Sequence, residues 1–140
     1  MILHFNFEEL SALKQGARML LDEAGEEDSL VVAPPAERVH VQKLLNRLDG
    51  DLRIETLSEQ RKLAQALSII VEVLRVDMEE AVVATHPADE SAVAAYFEFG
   101  HALSVLGRVE RIGAEMEAVI EVVTREAPTE EIACSFLFPN

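Results

Sequence analysis

Glu98 and His101 come nearest, in type and spacing, to a reactive site in this 140-residue chain. Three residues apart on a helix, a carboxylate and an imidazole face the same way and can chelate one metal ion. Glu98 also interrupts an otherwise apolar stripe between Ala95 and Ala102. The lone cysteine, Cys134, sits in the apolar segment IACSFLF with no basic residue within eight positions. Thiolate chemistry needs a positive environment, so Cys134 reads as core packing. His4 and His86 have no ligand-like neighbour at fixed spacing. The expected strand-to-helix junctions read FNFEE, APPAE and TLSEQ, without the glycine that lets a backbone approach a phosphate. That argues against a P-loop or dinucleotide fold. Asn6, Thr56, Ser58 and Glu59 would gather at one end of a parallel sheet, where ligands usually bind, yet each is more simply a helix cap. Six of the twelve bases lie in Arg38–Lys62, and His40, Lys43 and Arg47 share one helical face. Such a face suits a phosphate or RNA contact, but the interspersed Glu37, Asp49, Asp51, Glu55 and Glu59 read more simply as a solvated surface.

The elements that must position these residues change character near residue 57. Ile2–Asn6 is short, apolar and aromatic, as in a strand. Asn6 and Glu9 have the spacing of a reciprocal helix cap, and Leu10, Leu13, Ala17, Leu20 and Leu21 follow at helical spacing up to Gly25. Leu30–Ala33 is a continuous apolar run that suits a strand buried on both faces. Pro35 can open the next helix, with Val41, Leu44, Leu45 and Leu48 on its apolar side. Leu52, Ile54 and Thr56 alternate with Arg53 and Glu55, which predicts a third strand with one wet face. A long helix capped by Ser58 then runs to about Thr85, where Pro87 interrupts it, and another runs from about Asp89 to Arg125. Ile132–Phe138 alternates like a final strand. These readings give an α+β or α/β fold: a small, mostly parallel βαβαβ sheet lobe over residues 1–57, a two-helix hairpin over 58–126, and a C-terminal strand over 130–138. All belong to one domain, 1–140.

If the hairpin turns near residues 87–88, Asp77 falls level with Glu98, and Glu80 lies a turn away. A symmetric dimer would then bring together two carboxylates and two Glu-x-x-His pairs. That inventory resembles the ferritin-like di-iron bundles, although each chain has one such pair. The resemblance implies a divalent transition metal held by Asp77, Glu98 and His101. At 1.5 Å per residue the two long helices measure roughly 40 and 55 Å, more than a small lobe can cover. The second carries one stripe through Val105, Val109, Ile112, Met116 and Val119, and another through Tyr96, Phe99, Leu103 and Leu106. The first stripe is the expected seam of a homodimer built around a four-helix bundle. Gly100, Gly107 and Gly113 each cost roughly 1 kcal/mol relative to alanine within a helix, a cost that close approach by a neighbouring helix would offset.

Composition narrows the function classes. The apolar fraction of 49% supports a packed core. The longest stretches without Asp, Glu, Lys or Arg are nine residues, whereas a membrane-spanning helix needs roughly 20 apolar ones. A formal charge of −14 opposes unaided binding to nucleic acid or to an anionic membrane. The first residues carry no basic region ahead of an apolar stretch, and one cysteine makes no internal disulfide, so the expected compartment is the cytoplasm. The leading expectation is a non-enzymatic, acidic interaction or regulatory protein, working as a homodimer and binding another protein, with no cofactor. The first alternative is the metal-binding bundle using Glu98 and His101. The second is an acidic mimic of nucleic acid, with Glu110, Glu115, Glu117 and Glu121 supplying spaced negative charge.

Overall fold

Apolar residues at helical spacing account for nearly all the regular structure. The computed structural model describes residues 1–23, 35–84 and 89–126. In chain order the elements are β1 (Ile2–Leu3), α1 (Phe7–Glu23), α2 (Pro35–Arg47), β2 (Leu52–Arg53), α3 (Leu57–Ala84) and α4 (Glu90–Glu126). The helices have 17, 13, 28 and 37 residues, and each strand has two.

Local caps set several boundaries. Asn6 Oδ1 accepts from Glu9 N at 2.7 Å, and Glu9 Oε1 accepts from Asn6 N at 3.0 Å. This is the reciprocal cap that the Asn6 and Glu9 spacing predicts. Helix α3 starts earlier than a Ser58 cap would place it. Thr56 Oγ1 accepts from Glu59 N at 3.1 Å, and Glu59 Oε2 accepts from Glu55 N at 3.0 Å. Asp89 Oδ1 accepts from Ser91 N at 2.9 Å at the start of α4.

The expected parallel βαβαβ lobe is absent from the described residues, and the fold is helical in substance. Strands β1 and β2 pair directly and antiparallel, Ile2 opposite Arg53 and Leu3 opposite Leu52. Leu3, Leu52 and Ile54 are buried while Ile2 and Arg53 are exposed, so the ribbon has one dry face. The alternation of Leu52, Arg53, Ile54 and Glu55 already favoured that outcome, because strands of a parallel sheet are buried on both faces. The other two expected strands, Leu30–Ala33 and Ile132–Phe138, lie outside the described residues, as do Cys134 and His86.

Helices supply the core. Leu13, Ala17 and Leu20 of α1, Val41 and Leu44 of α2, Leu67, Ile70 and Leu74 of α3, and Ala102, Val105 and Val109 of α4 form one cluster with Leu3 and Leu52. Helices α3 and α4 pack as an antiparallel hairpin, α1 lies against both, and α2 lies against α3 and α1. This cover stops partway along the hairpin: no residue of α3 beyond Leu74 is buried. Among the described residues, the two long helices therefore have a covered half, reaching to Leu74, and a distal half in which each has only the other.

Gly16 shows how closely α1 approaches α3. A Cβ there would lie 2.7 Å from Ile70 Cγ2 and 3.0 Å from Leu74 Cγ. Both side chains are buried, and isoleucine has little rotamer freedom in a helix. Gly16→Ala is therefore expected to destabilise the fold by about 1–2 kcal/mol, overpacking outweighing the gain in helix propensity. Urea denaturation monitored by circular dichroism reads this as a lower midpoint with an unchanged slope.

Candidate functional site

The sequence placed Asp77, Glu98 and His101 together as possible metal ligands. The structure gives Glu98 and His101 different electrostatic neighbours. Glu98 is half-buried on α4, and its carboxyl is pushed up from the ordinary range by burial and then by the Asp77 carboxylate of α3. Asp77 thus lies near Glu98, at the level that the hairpin turn implied. His101, also half-buried, lies close enough to Glu9 of α1 to help lower the pKa of that carboxylate. Among the described residues of one chain, no three His, Cys, Asp or Glu side chains converge as metal ligands would.

Glu9 is the most constrained carboxylate. Its side chain is 4% exposed, and Oε2 receives Arg108 Nη1 at 2.9 Å. Arg108 Nη2 also donates to the His4 carbonyl at 3.0 Å, so one guanidinium joins α4 to both the start of α1 and the residue after β1. Burial alone would push the Glu9 carboxyl up. The Arg108 hydrogen bond, the Asn6 N–H, and the charges of Arg108 and His101 outweigh it and hold Glu9 below the ordinary value. Sequence spacing did not single out this pair, because its partners are 99 positions apart in the chain. The one local signal was the cap role of Glu9. The arrangement fastens helices; its arginine and its carboxylate are already engaged with each other.

The residues expected at the dimer seam divide differently. Val105 and Val109 are fully buried inside the chain, and Ile112 and Met116 pack against its core. Val119 is 52% exposed. The stripe with the most sustained apolar spacing is thus used within the hairpin and against α1, where it covers the most water-excluded part of the fold. The second stripe also divides: Leu106 is buried and Phe99 packs against the core, while Tyr96 and Leu103 stay outside with Val93 and Phe97 beside them. Tyr96 is 60% exposed, Leu103 46% and Val93 40%, and Tyr96 and Phe97 pack edge to face with ring centroids 5.8 Å apart. Gly113 meets a neighbouring helix as expected: a Cβ there would overlap the Gln60 side chain of α3. At Gly100 and Gly107 nothing lies within 4 Å of where a Cβ would stand. Among the described residues, no neighbouring helix offsets their cost.

The acids considered for mimicry of nucleic acid, Glu110, Glu115, Glu117 and Glu121, are all exposed on α4. Two of them are engaged in ion pairs, Glu117 with Arg61 at 3.4 Å and Glu121 with Arg125 at 2.6 Å. Among the described residues, no helix is long and apolar enough to cross a membrane. Comparison with protein-family models, with curated proteins and with solved structures finds no match to this chain.

The two carboxylates carry opposite pH signatures. Glu9, lowered on folding, contributes stability that is complete above 4.5, the ordinary glutamate value, and is lost as pH falls through its folded value. Arg108→Gln is therefore expected to cost about 2 kcal/mol at neutral pH, below the ~3–5 kcal/mol of a fully buried pair because Arg108 is partly solvated. The difference from the unaltered chain should shrink as acid protonates Glu9 in both. Glu98, raised on folding, has the reverse sign: its penalty is complete above its raised value and absent below the ordinary one. Glu98→Gln should stabilise the protein at neutral pH and leave it unchanged in acid. Urea midpoints measured across the acid range test both.

Proposed function

We propose that the protein is a non-enzymatic interaction protein that works as a homodimer through the distal half of its hairpin and the exposed face of α4 that continues from it. The observation that carries this reading is the bare apolar face there. Val82 and Val83 of α3 and Val93, Tyr96, Phe97 and Leu103 of α4 are all at least 40% exposed, with no other described element over them. Val93, Tyr96, Phe97 and Leu103 share one face of α4 by helical spacing, and exposed apolar surface grouped in this way marks association sites.

A second copy suits this face better than a charged partner. Between Ser91 and Gly107 the Asp, Glu, Lys, Arg and His residues number two, Glu98 and His101, in a chain of net charge −14. Two copies can meet along this stretch without setting their acids against each other. Val93, Gly100 and Gly107 recur every seven residues, with Tyr96 and Leu103 beside them, which is the repeat of helices packed side by side. A helix in the partner would give both glycines the close neighbour that they lack among the described residues. One cysteine among 140 residues agrees with a reducing, cytoplasmic setting for such an assembly.

Sedimentation equilibrium at micromolar concentration is expected to show a dimer of the 15.5 kDa chain. Leu103→Glu, at an exposed site, should yield a folded monomer with its helical circular dichroism intact. Gly107→Ala distinguishes a seam from idle surface. At an open helical position it should stabilise the monomer by about 1 kcal/mol, while its methyl group weakens a close-packed dimer. A monomeric mass for the unaltered chain throughout the range would overturn the proposal.

A further inference from the structure

Helices α2 and α3 enclose a cleft of about 140 Å³ lined by His40, Lys43, Leu44, Arg47, Glu59, Lys62, Leu63 and Ala66. His40, Lys43 and Arg47 come from one face of α2, and Lys62 joins them from the second turn of α3. Three permanent cations and an imidazole thus face one concavity in a chain with 26 acids and 12 bases. Five of the twelve bases, Arg53, Arg61, Arg75, Arg108 and Arg125, pair with carboxylates. Lys43, Arg47 and Lys62 form no ion pair among the described residues. The one acid in the lining, Glu59, has Oε2 turned to the Glu55 N–H at 3.0 Å, where it caps α3. The cleft keeps a net positive charge.

We propose that this cleft binds a small phosphorylated molecule, with His40, Lys43, Arg47 and Lys62 holding its phosphoryl group. A phosphate dianion offers three oxygens to donors converging from two helices, and a guanidinium matches it with two parallel N–H groups. A lone carboxylate has fewer acceptor oxygens for three cationic side chains and an imidazole. The apolar floor of Leu44, Leu63 and Ala66 gives the organic part of the ligand a dry surface. A nucleic-acid strand is disfavoured because its further phosphates would meet a chain of net charge −14. The site is separate from the hairpin face proposed for dimerisation, lying on the covered half of α3.

Inorganic phosphate, phenyl phosphate and a single-stranded RNA oligonucleotide, each compared with sodium chloride at equal ionic strength, test the inference on the full chain. Phosphate should raise the unfolding temperature, because a ligand of the folded state stabilises it, and phenyl phosphate should raise it further. Amide shifts in two-dimensional NMR should concentrate in α2 and the first turns of α3. Lys62→Ala and Lys43→Ala, both at exposed positions, should each weaken phenyl phosphate binding about tenfold. Arg18→Ala, an equal charge change on the exposed face of α1, should leave it unaltered. No shift beyond the chloride control would overturn the proposal. So would an equal loss from Arg18→Ala, or RNA binding more tightly than phenyl phosphate.

Discussion

The amide of Gln60 pins the register on which the rest of the structure depends. Its Nε2 donates to the Val109 carbonyl at 3.0 Å, in a buried position between α3 and α4. Within α4 that carbonyl also faces the N–H of Gly113, four residues on, and the missing Cβ at Gly113 leaves its second lone pair open from the side. Any side chain at 113 would occupy the place of the Gln60 amide. Buried amides are costly unless bonded, so sliding α3 along α4 would strand this group in the core. Asp77 and Glu98 meet some five turns away because this register holds along a rigid helix pair.

Once that register is set, helix lengths determine which surfaces are dry. Helices α1 and α2 are shorter than the hairpin and can cover only part of it. They settle over the half that carries Leu67, Ile70, Val71, Leu74, Val105 and Val109, where burial removes the most apolar area from water. Gly16 allows α1 to sit nearly against α3. Arg108 then ties the start of α1 to α4, and the short β1–β2 ribbon closes the base by joining the N-terminal residues to the segment that enters α3. The ribbon works as a clasp between helices, since two residues per strand bury too little to form a layer of their own.

Charge is distributed to match. Most of the excess acid lies on exposed helical faces, where it is solvated or partly offset by neighbours such as Arg75 between Glu72 and Glu79. Two places depart from that pattern. The distal stripe of α4 is nearly free of charge, and the α2–α3 cleft is positive. In an acidic chain each departure is a local surface with its own chemistry, the first suited to apolar contact and the second to an anion.

Helices and their ends were legible in the sequence because they depend on residues within about four positions of one another. The Asn6–Glu9 cap, the opening of α2 at Pro35, the long hairpin and the level of Asp77 against Glu98 all rest on such local spacing, or on counting back from a turn. The strand pairing was not legible in the same way. A two-residue strand has no periodicity, and the one wet face around Leu52, though it favoured an antiparallel partner, did not say which segment would supply it. Nor could spacing say which apolar positions on α4 would be buried, because that depends on where α1 docks. Val105 and Val109 therefore turned inward, while Tyr96, Gly100, Leu103 and Gly107 remained outside. The Glu9–Arg108 pair and the gathering of Lys62 with His40, Lys43 and Arg47 were likewise decided by packing, since charges far apart in the chain find each other only after the helices that carry them are in contact.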